Sequence, residues 1–284
     1  MSEWMEEVDV VYGAWRLQLK IDEVLVRRRG DHHDILLFEN KLFGRVLVLD
    51  GVVQTTERDE FVFHEMIVHV PLLAHGAARR VLIIGGGDGG ALEEVLKHDS
   101  VESVTVVEID SAVVACSREF LPSICNGAFE DFRTNLVIAD GVAFVAESDA
   151  EYDVILVDST DPVGPGEALF ESSFYRNCRG RLASGGVLVS QFGVPFAEPE
   201  WLARPYLRLT DSFPRTACYL VPVPANYGGF LAFCMASGSV EPFQLDSGTL
   251  QSRFRDAGVV TRYYTPDIHK AAFALPPYVA EIIG

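Results

Sequence analysis

An aspartate stands inside the glycine-rich turn Gly85-Gly86-Gly87-Asp88-Gly89-Gly90, where a nucleotide-binding loop presents bare backbone to its ligand. The apolar residues 81–84 enter this turn and residues 91–97 leave it, a strand–turn–helix pattern that opens a Rossmann-like unit. A pyrophosphate at the helix N-terminus would meet Asp88 with the wrong sign of charge, whereas a ligand with a cationic end would be drawn to it. More acids follow at comparable places. Glu108 closes a second apolar run about twenty residues beyond the turn, where a carboxylate accepts hydrogen bonds from both ribose hydroxyls. Asp140 follows the apolar residues 136–139, and Asp158 opens the loop Asp158-Ser159-Thr160-Asp161-Pro162-Val163-Gly164-Pro165-Gly166-Glu167. Prolines fix φ in that loop and glycines permit sharp reversals, so it can hold a defined shape and still close over a ligand.

Such acids do chemistry together only if the fold brings them together. From residue 81 onward, strands at 81–84, 103–108, 136–139, 153–158 and 187–191 alternate with helices near 89–97, 111–120, 141–147 and 172–182. This alternation predicts an α/β fold with a doubly wound, mostly parallel Rossmann-like sheet of the methyltransferase-like kind. Ligands bind such sheets beyond the carboxyl ends of the strands, so Asp88, Glu108, Asp140 and Asp158 are predicted to converge on one crevice. Residues 216–223 and 229–235 predict two further strands, and 245–256 a late helix. Earlier in the chain, residues 15–20, 24–26, 35–38 and 45–49 alternate as strands, punctuated by Gly30-Asp31, Asn40-Lys41 and Asp50-Gly51. They predict a small antiparallel β domain over 1–58, ahead of a Rossmann-like catalytic domain over 59–284. A helix is predicted over 60–74, with Phe61, Glu65 and Val68 on one face and Gly76 as its stop.

Composition narrows the ligand. With 284 residues and 49% hydrophobic content the chain can bury a large core, and 23 basic against 41 acidic side chains give a formal charge of −18. That field repels nucleic acid and anionic membrane and favours small cations. No apolar run reaches the length of a transmembrane helix. Five scattered cysteines lacking a Cys-x-x-Cys pair, and an N-terminus without an apolar leader, predict reduced thiols and a cytoplasmic protein. Carboxylate clusters also bind magnesium or calcium. An organic cation, however, accounts for both the acid inside the glycine turn and the acid placed for ribose, so neither metal nor cofactor is expected. Each ion pair at about 4 Å gains on the order of 4 kcal/mol at an effective dielectric near 20, before desolvation, so a groove of acids selects amines by charge and spacing.

The glycine–aspartate string, the pair Glu108 and Asp110, Asp140-Gly141 and above all Asp158-Ser159-Thr160-Asp161-Pro162-Val163-Gly164-Pro165 resemble the polyamine aminopropyltransferases, the spermidine synthase family, in its bacterial form. The resemblance extends to residues 50–60 and to the tail at 271–276, so it spans essentially the whole chain. It implies transfer of the aminopropyl group of decarboxylated S-adenosylmethionine, a co-substrate, to an amine such as putrescine, giving spermidine and methylthioadenosine. It further implies that His33, Gly85, Gly87, Asp88, Glu108, Asp140, Gly141 and Pro165 bind the donor, with Asp88 on its aminopropyl ammonium. His64, Asp88, Asp158 and Asp161 would hold the polyamine, and Asp158 would take the proton, directly or through water. Ordinary S-adenosylmethionine carries a carboxylate that Asp88 would repel, so specificity includes a repulsive element. Family likeness also implies a homodimer or homotetramer.

Three positions depart from the family's pattern. His33 stands in place of a glutamine that touches the donor, and Phe63 and Asn226 stand in place of two tyrosines of the amine site. Phe63 and Asn226, with Gln191 and Tyr227, define the expected acceptor pocket. Each lost phenol removes a hydrogen bond worth about 1 kcal/mol, which leaves cadaverine, diaminopropane, agmatine or spermidine open as acceptors beside putrescine. An amine N-methyltransferase and a polyamine-binding protein without turnover are the competing readings. The intact Asp88 weighs against the first.

Overall fold

The computed structural model describes residues 3–7, 16–160, 164–225, 229–238 and 245–284. Strands β1 (Glu3–Glu6) and β2 (Gln18–Ile21) form an antiparallel ribbon, and β3 (Glu23–Arg29), β4 (Asp34–Asn40), β5 (Gly44–Leu49) and β6 (Val52–Thr56) form an antiparallel meander. Asp50 and Gly51 join β5 to β6 with φ of 51° and 83°, the double positive φ of a tight hairpin turn, which explains why the Asp-Gly pair marks that reversal.

After α1 (Glu60–His75) come β7 (Arg80–Gly85), α2 (Gly90–Leu96), β8 (Ser103–Glu108), α3 (Ser111–Phe120), the one-turn α4 (Pro122–Cys125), β9 (Thr134–Ile138), α5 (Gly141–Glu147), β10 (Tyr152–Asp158), α6 (Ser172–Arg181), β11 (Leu182–Gln191), α7 (Pro199–Ser212), β12 (Arg215–Pro222), β13 (Phe230–Ser237), α8 (Ser247–Ala257), α9 (Pro266–Ala272) and α10 (Pro277–Ile283). The large sheet has the order β12-β13-β11-β10-β7-β8-β9. Strands β7 to β11 are mutually parallel, while β13 and β12 run antiparallel at one edge. Chain order runs outward from β7 to β9 and then returns to β10 on the other side of β7. The crevice between β7 and β10 is therefore the topological switch point, the place where such sheets bind ligands.

The central strands are buried on both faces, as parallel strands covered by helices must be. Val81, Ile83, Val154 and Leu156 point into one core with α1 and α2, and Leu82, Ile84, Ile155 and Val157 point into the other with Phe174, Tyr175, Leu202 and Leu209. The meander docks through its own apolar face: Ile35, Leu37, Leu47 and Leu49 pack on Val113 and Cys116 of α3, Ile124 of α4 and Leu121 between them. That contact hangs the β3–β4 and β5–β6 hairpins over the carboxyl ends of β7 and β8.

Helix α1 begins and ends where expected, with Gly76 in the left-handed conformation at its C-cap. Glu65, expected on the same face as Phe61 and Val68, is buried and accepts the backbone N–H groups of Arg262, Tyr263 and Tyr264. It anchors the C-terminal segment. Strands β1 and β6 and helices α7, α9 and α10 add to the elements predicted from periodicity. All three helices open on proline, the residue that ordinarily punctuates a chain, which here occupies a first turn in which its missing N–H costs nothing; α7 carries a second proline, Pro205, in its interior. The five cysteines are free and buried, with Cys218 opposite Cys234 across β12 and β13.

Candidate active site

Register places the two halves of the site at one level: Asp158, the last residue of β10, pairs with Gly85, the last of β7. The carbonyl of Asp158 accepts the N–H of Gly86 at 2.8 Å. Gly85 has φ of 82°, and a Cβ there would lie 2.0 Å from that carbonyl oxygen, so only glycine lets the turn pass under Asp158. The crevice above is lined by Gly85, Gly87, Asp88, Glu108, Asp140, Gly141 and Asp158 from the sheet, by Phe63 and His64 from α1, and by His33, Gln54 and Thr55 from the meander. All four strand-end acids thus converge as the sequence predicts.

Their environments differ. Glu108 is buried and spends Oε1 on the N–H of Asp110 at 2.9 Å; burial pushes its carboxyl up. Asp110 caps α3 through the N–H of Ala112 and accepts the N–H groups of His32 and His33, each at 3.0 Å, so it ties the β3–β4 hairpin to the sheet. The ring of His33 is held in turn by Asp50, Nδ1 to Oδ2 2.7 Å. Asp140 is exposed and caps α5 through the N–H of Val142, which leaves its second oxygen for a ligand.

Asp88 is not a bare charge. Its Oδ1 accepts the N–H of Gly90 at 2.9 Å, and its Oδ2 lies 3.3 Å from Nε2 of the buried His64. Nδ1 of His64 lies 2.9 Å from Oε2 of Glu60. Burial works against charge on both partners, yet each outweighs it for the other: Asp88, helped by Glu60, holds His64 well above its ordinary range, and His64 holds Asp88 below its own. Gly90 is the floor under the imidazole, since a Cβ there would sit 2.2 Å from the ring. Gly90→Ala is therefore expected to displace His64 and to destabilise the fold by about 1–3 kcal/mol, read as a lower Tm together with lost turnover.

Asp158 carries the strongest tension in the site. Its Oδ2 is buried with no hydrogen-bond partner among the described residues. Burial first, then the charge of Asp88 and that of Glu108 against the opposing pull of His64, push its carboxyl up to about 7. A carboxylate so poised accepts a proton near neutrality. Gln191 is buried beside it, giving Nε2 to the carbonyl of Ser159 at 3.1 Å and accepting the N–H of Gly193 at 2.8 Å. Phe63 lies edge-on to His64, with ring centroids 5.3 Å apart, and packs on Phe233, so the crevice has an apolar wall beside His64. Asp161, Asn226, Tyr227 and the side chain of Pro165 lie outside the described residues.

Residues 60–246 match the family profile described as the spermine/spermidine synthase domain, and residues 4–57 match the spermidine synthase tetramerisation domain. The chain belongs to the spermine/spermidine synthase family. Within that family's relatives, the polyamine aminopropyltransferase 1 of Pseudomonas aeruginosa is 51% identical over 284 residues, which is 100% of this chain and 98% of the relative. The polyamine aminopropyltransferase of Pectobacterium carotovorum is 48% identical, covering 99% and 96%. A solved spermidine synthase in complex with the transition state analogue AdoDATO superposes with a TM-score of 0.93 at 38% identity, covering 99% of this chain and 94% of that one. The spermidine synthase from Thermotoga maritima does so with a TM-score of 0.89 at 36% identity and the same coverage. The likeness read from the glycine–aspartate turn and the Asp158 loop is borne out.

Sequence reasoning missed Glu60. The signal was present, because a helix starting at residue 60 places Glu60 and His64 four residues apart on one face.

Proposed function

We propose that the chain transfers the aminopropyl group of decarboxylated S-adenosylmethionine to a diamine, putrescine first, releasing methylthioadenosine. The observation that carries this reading is the buried Asp158 oxygen, without a partner among the described residues, facing Asp88 across the glycine turn. A carboxylate oxygen from each aspartate and a ring nitrogen of His64 lie within 4.8 Å of one another. In this assignment Glu108, with one oxygen free of Asp110, takes the ribose, and Asp140 with Gly141 takes the adenine. His33 closes the donor side from the meander, and Asp88 takes the aminopropyl ammonium.

The reaction is a displacement at a sulfonium-activated carbon, so the leaving group is built into the donor and no cofactor is needed. The protein must align the reactants, keep the attacking amine neutral and receive its proton. An ordinary aspartate near 3.9 lies about 6.5 units below an alkylamine near 10.4, a wide gap for proton transfer. Raised to about 7, Asp158 halves that gap.

The test is incubation with each donor and a panel of putrescine, cadaverine, diaminopropane, agmatine and spermidine, followed by mass analysis. Decarboxylated S-adenosylmethionine with putrescine should give spermidine and methylthioadenosine in equal amounts, with or without a chelator. A one-carbon mass gain from S-adenosylmethionine would overturn the reading. The match of residues 4–57, together with exposed Trp4, Val24 and Leu42 in that segment, supports a homo-oligomer built through an N-terminal domain over 1–58, with catalysis in 59–284. Light scattering should return two or four times 31.3 kDa. Among the described residues no helix is long and apolar enough to cross a membrane. The free, buried thiols and the net charge of −18 support a cytoplasmic protein that binds neither nucleic acid nor membrane.

A further inference from the structure

We propose that Glu60 is a positioning residue that keeps His64 doubly protonated, and that this fixed imidazolium beside Asp158 holds the attacking amine of the acceptor in its neutral form. The inference rests on the aminopropyl-transfer reading for the second half of that statement and on geometry alone for the first.

Each ring nitrogen of His64 faces a carboxylate oxygen, Nδ1 that of Glu60 at 2.9 Å and Nε2 that of Asp88 at 3.3 Å. An ionised carboxylate only accepts hydrogen bonds, and a neutral imidazole has one N–H. The Glu60 contact is a hydrogen bond and the Asp88 contact an ion pair, and the two are favourable together only when both nitrogens carry protons. The side chain of His64 is 3% exposed, so water cannot substitute for either partner. Among the described residues the charged groups around it are Glu60 on its own helix, Asp88 from the glycine turn, Asp158 from β10 with Glu108 behind it, and Arg262, whose guanidinium lies 3.9 Å from the second oxygen of Glu60 and stacks over Phe61 at 3.7 Å. Glu60 is thus held on both sides, by His64 and by Arg262. Neither nitrogen of His64 is left with a lone pair for a metal.

The position of this cation matters for the reaction. Ligand atoms of His64, Asp88 and Asp158 lie within 4.8 Å of one another, so an amine hydrogen-bonded to Asp158 lies beside the imidazolium. A like charge at that range disfavours the ammonium form by roughly 1–3 pH units. In the transfer step the lone pair of the neutral amine forms the new N–C bond, the C–S bond breaks to leave the thioether of methylthioadenosine, and the resulting ammonium passes one proton to Asp158. His64 keeps both of its protons throughout.

The experiment pairs ¹⁵N NMR of the histidine ring in the substrate-free protein with the pH–rate profile of Glu60→Gln, an isosteric change; His64→Gln assigns the resonances. In the wild type both ring nitrogens of His64 should remain protonated well above the ordinary imidazole range, and in E60Q the ring should lose a proton nearer that range, about 6.5. The rising limb of kcat against pH should move upward by about one unit in E60Q and likewise in H64Q, lowering kcat near neutrality about tenfold while the acceptor KM stays level or falls. A purely structural role would lower Tm without moving the limb. A neutral His64 in the wild type near pH 7, or an E60Q limb superposed on the wild-type limb, overturns the proposal. An imidazolium retained in a protein that transfers no aminopropyl group overturns the function reading instead, and with it the role given to the charge.

Discussion

Asp158→Asn is expected to cut turnover by about 10²- to 10⁴-fold while making the protein more stable above neutral pH. The loss of rate follows from removing the group that receives the proton, with the acceptor still able to bind to Asp88 and the apolar wall at Phe63. The gain in stability follows from the raised carboxyl. Because Asp158 titrates near 7 in the folded protein and near 3.8 unfolded, the native state holds the extra proton between those values, and stability falls as pH rises through that window. Asparagine removes the buried charge, so the variant and the wild type should melt together near pH 4 and diverge up to about pH 8, where the difference should be on the order of 4 kcal/mol. In a chain of this size that is a Tm increase of several degrees, readable by calorimetry at two pH values. A variant that loses both activity and stability at pH 8 would show that Asp158 is a structural acid.

Asp88→Asn is expected to have the opposite stability profile and to change the donor. Breaking the buried pair with His64 costs the fold about 3–5 kcal/mol, and the donor's ammonium, left without its carboxylate, should lower kcat/KM for decarboxylated S-adenosylmethionine by roughly 10²- to 10³-fold. Binding of ordinary S-adenosylmethionine should improve relative to it, because the repulsion of its carboxylate is gone. The His64–Asp88 pair stabilises the fold where both members are charged. His64 is raised, so its contribution is complete below about 6.5 and is lost as pH climbs through its folded value; Asp88 is lowered, so its contribution is present above about 3.9 and fades in stronger acid. The destabilisation of D88N should therefore be greatest between about pH 4 and 6.5. Competition between the two donors in wild type and D88N, with melts across that range, checks both halves. Unchanged donor discrimination would sink the repulsion argument.

The residues that sequence placed best were those whose position is dictated by chain-local geometry. A carboxylate that directly follows a buried β run must emerge at the carboxyl end of a parallel strand, which is why Glu108, Asp140 and Asp158 could be sent to one crevice without knowing their distances. The Asp50-Gly51 turn and the Gly76 stop are equally local, being matters of φ. Helices α7, α9 and α10 escaped because proline at a first helical turn looks the same, in sequence, as proline in a loop. Strand β6 escaped because its alternation over Val52–Thr56 is short and sits inside a motif read for its chemistry.

Charge, by contrast, depends on neighbours. From the order of residues alone, Asp88 is an acid that repels phosphate and welcomes a cation, and the family to which the chain belongs follows from that acid together with the Asp158 loop. That His64 already meets Asp88, that Glu60 grips the other side of the ring, and that Asp158 is left with a buried oxygen and no partner among the described residues were decided by tertiary structure. Helix α1 is distant in sequence from β10 and reaches it only through packing on the sheet. The reason is general: which side chains exist, and on which end of which strand they emerge, is a local property of the chain, whereas a proton's free energy is set by burial and by charges a few ångströms away, which only the folded arrangement brings together.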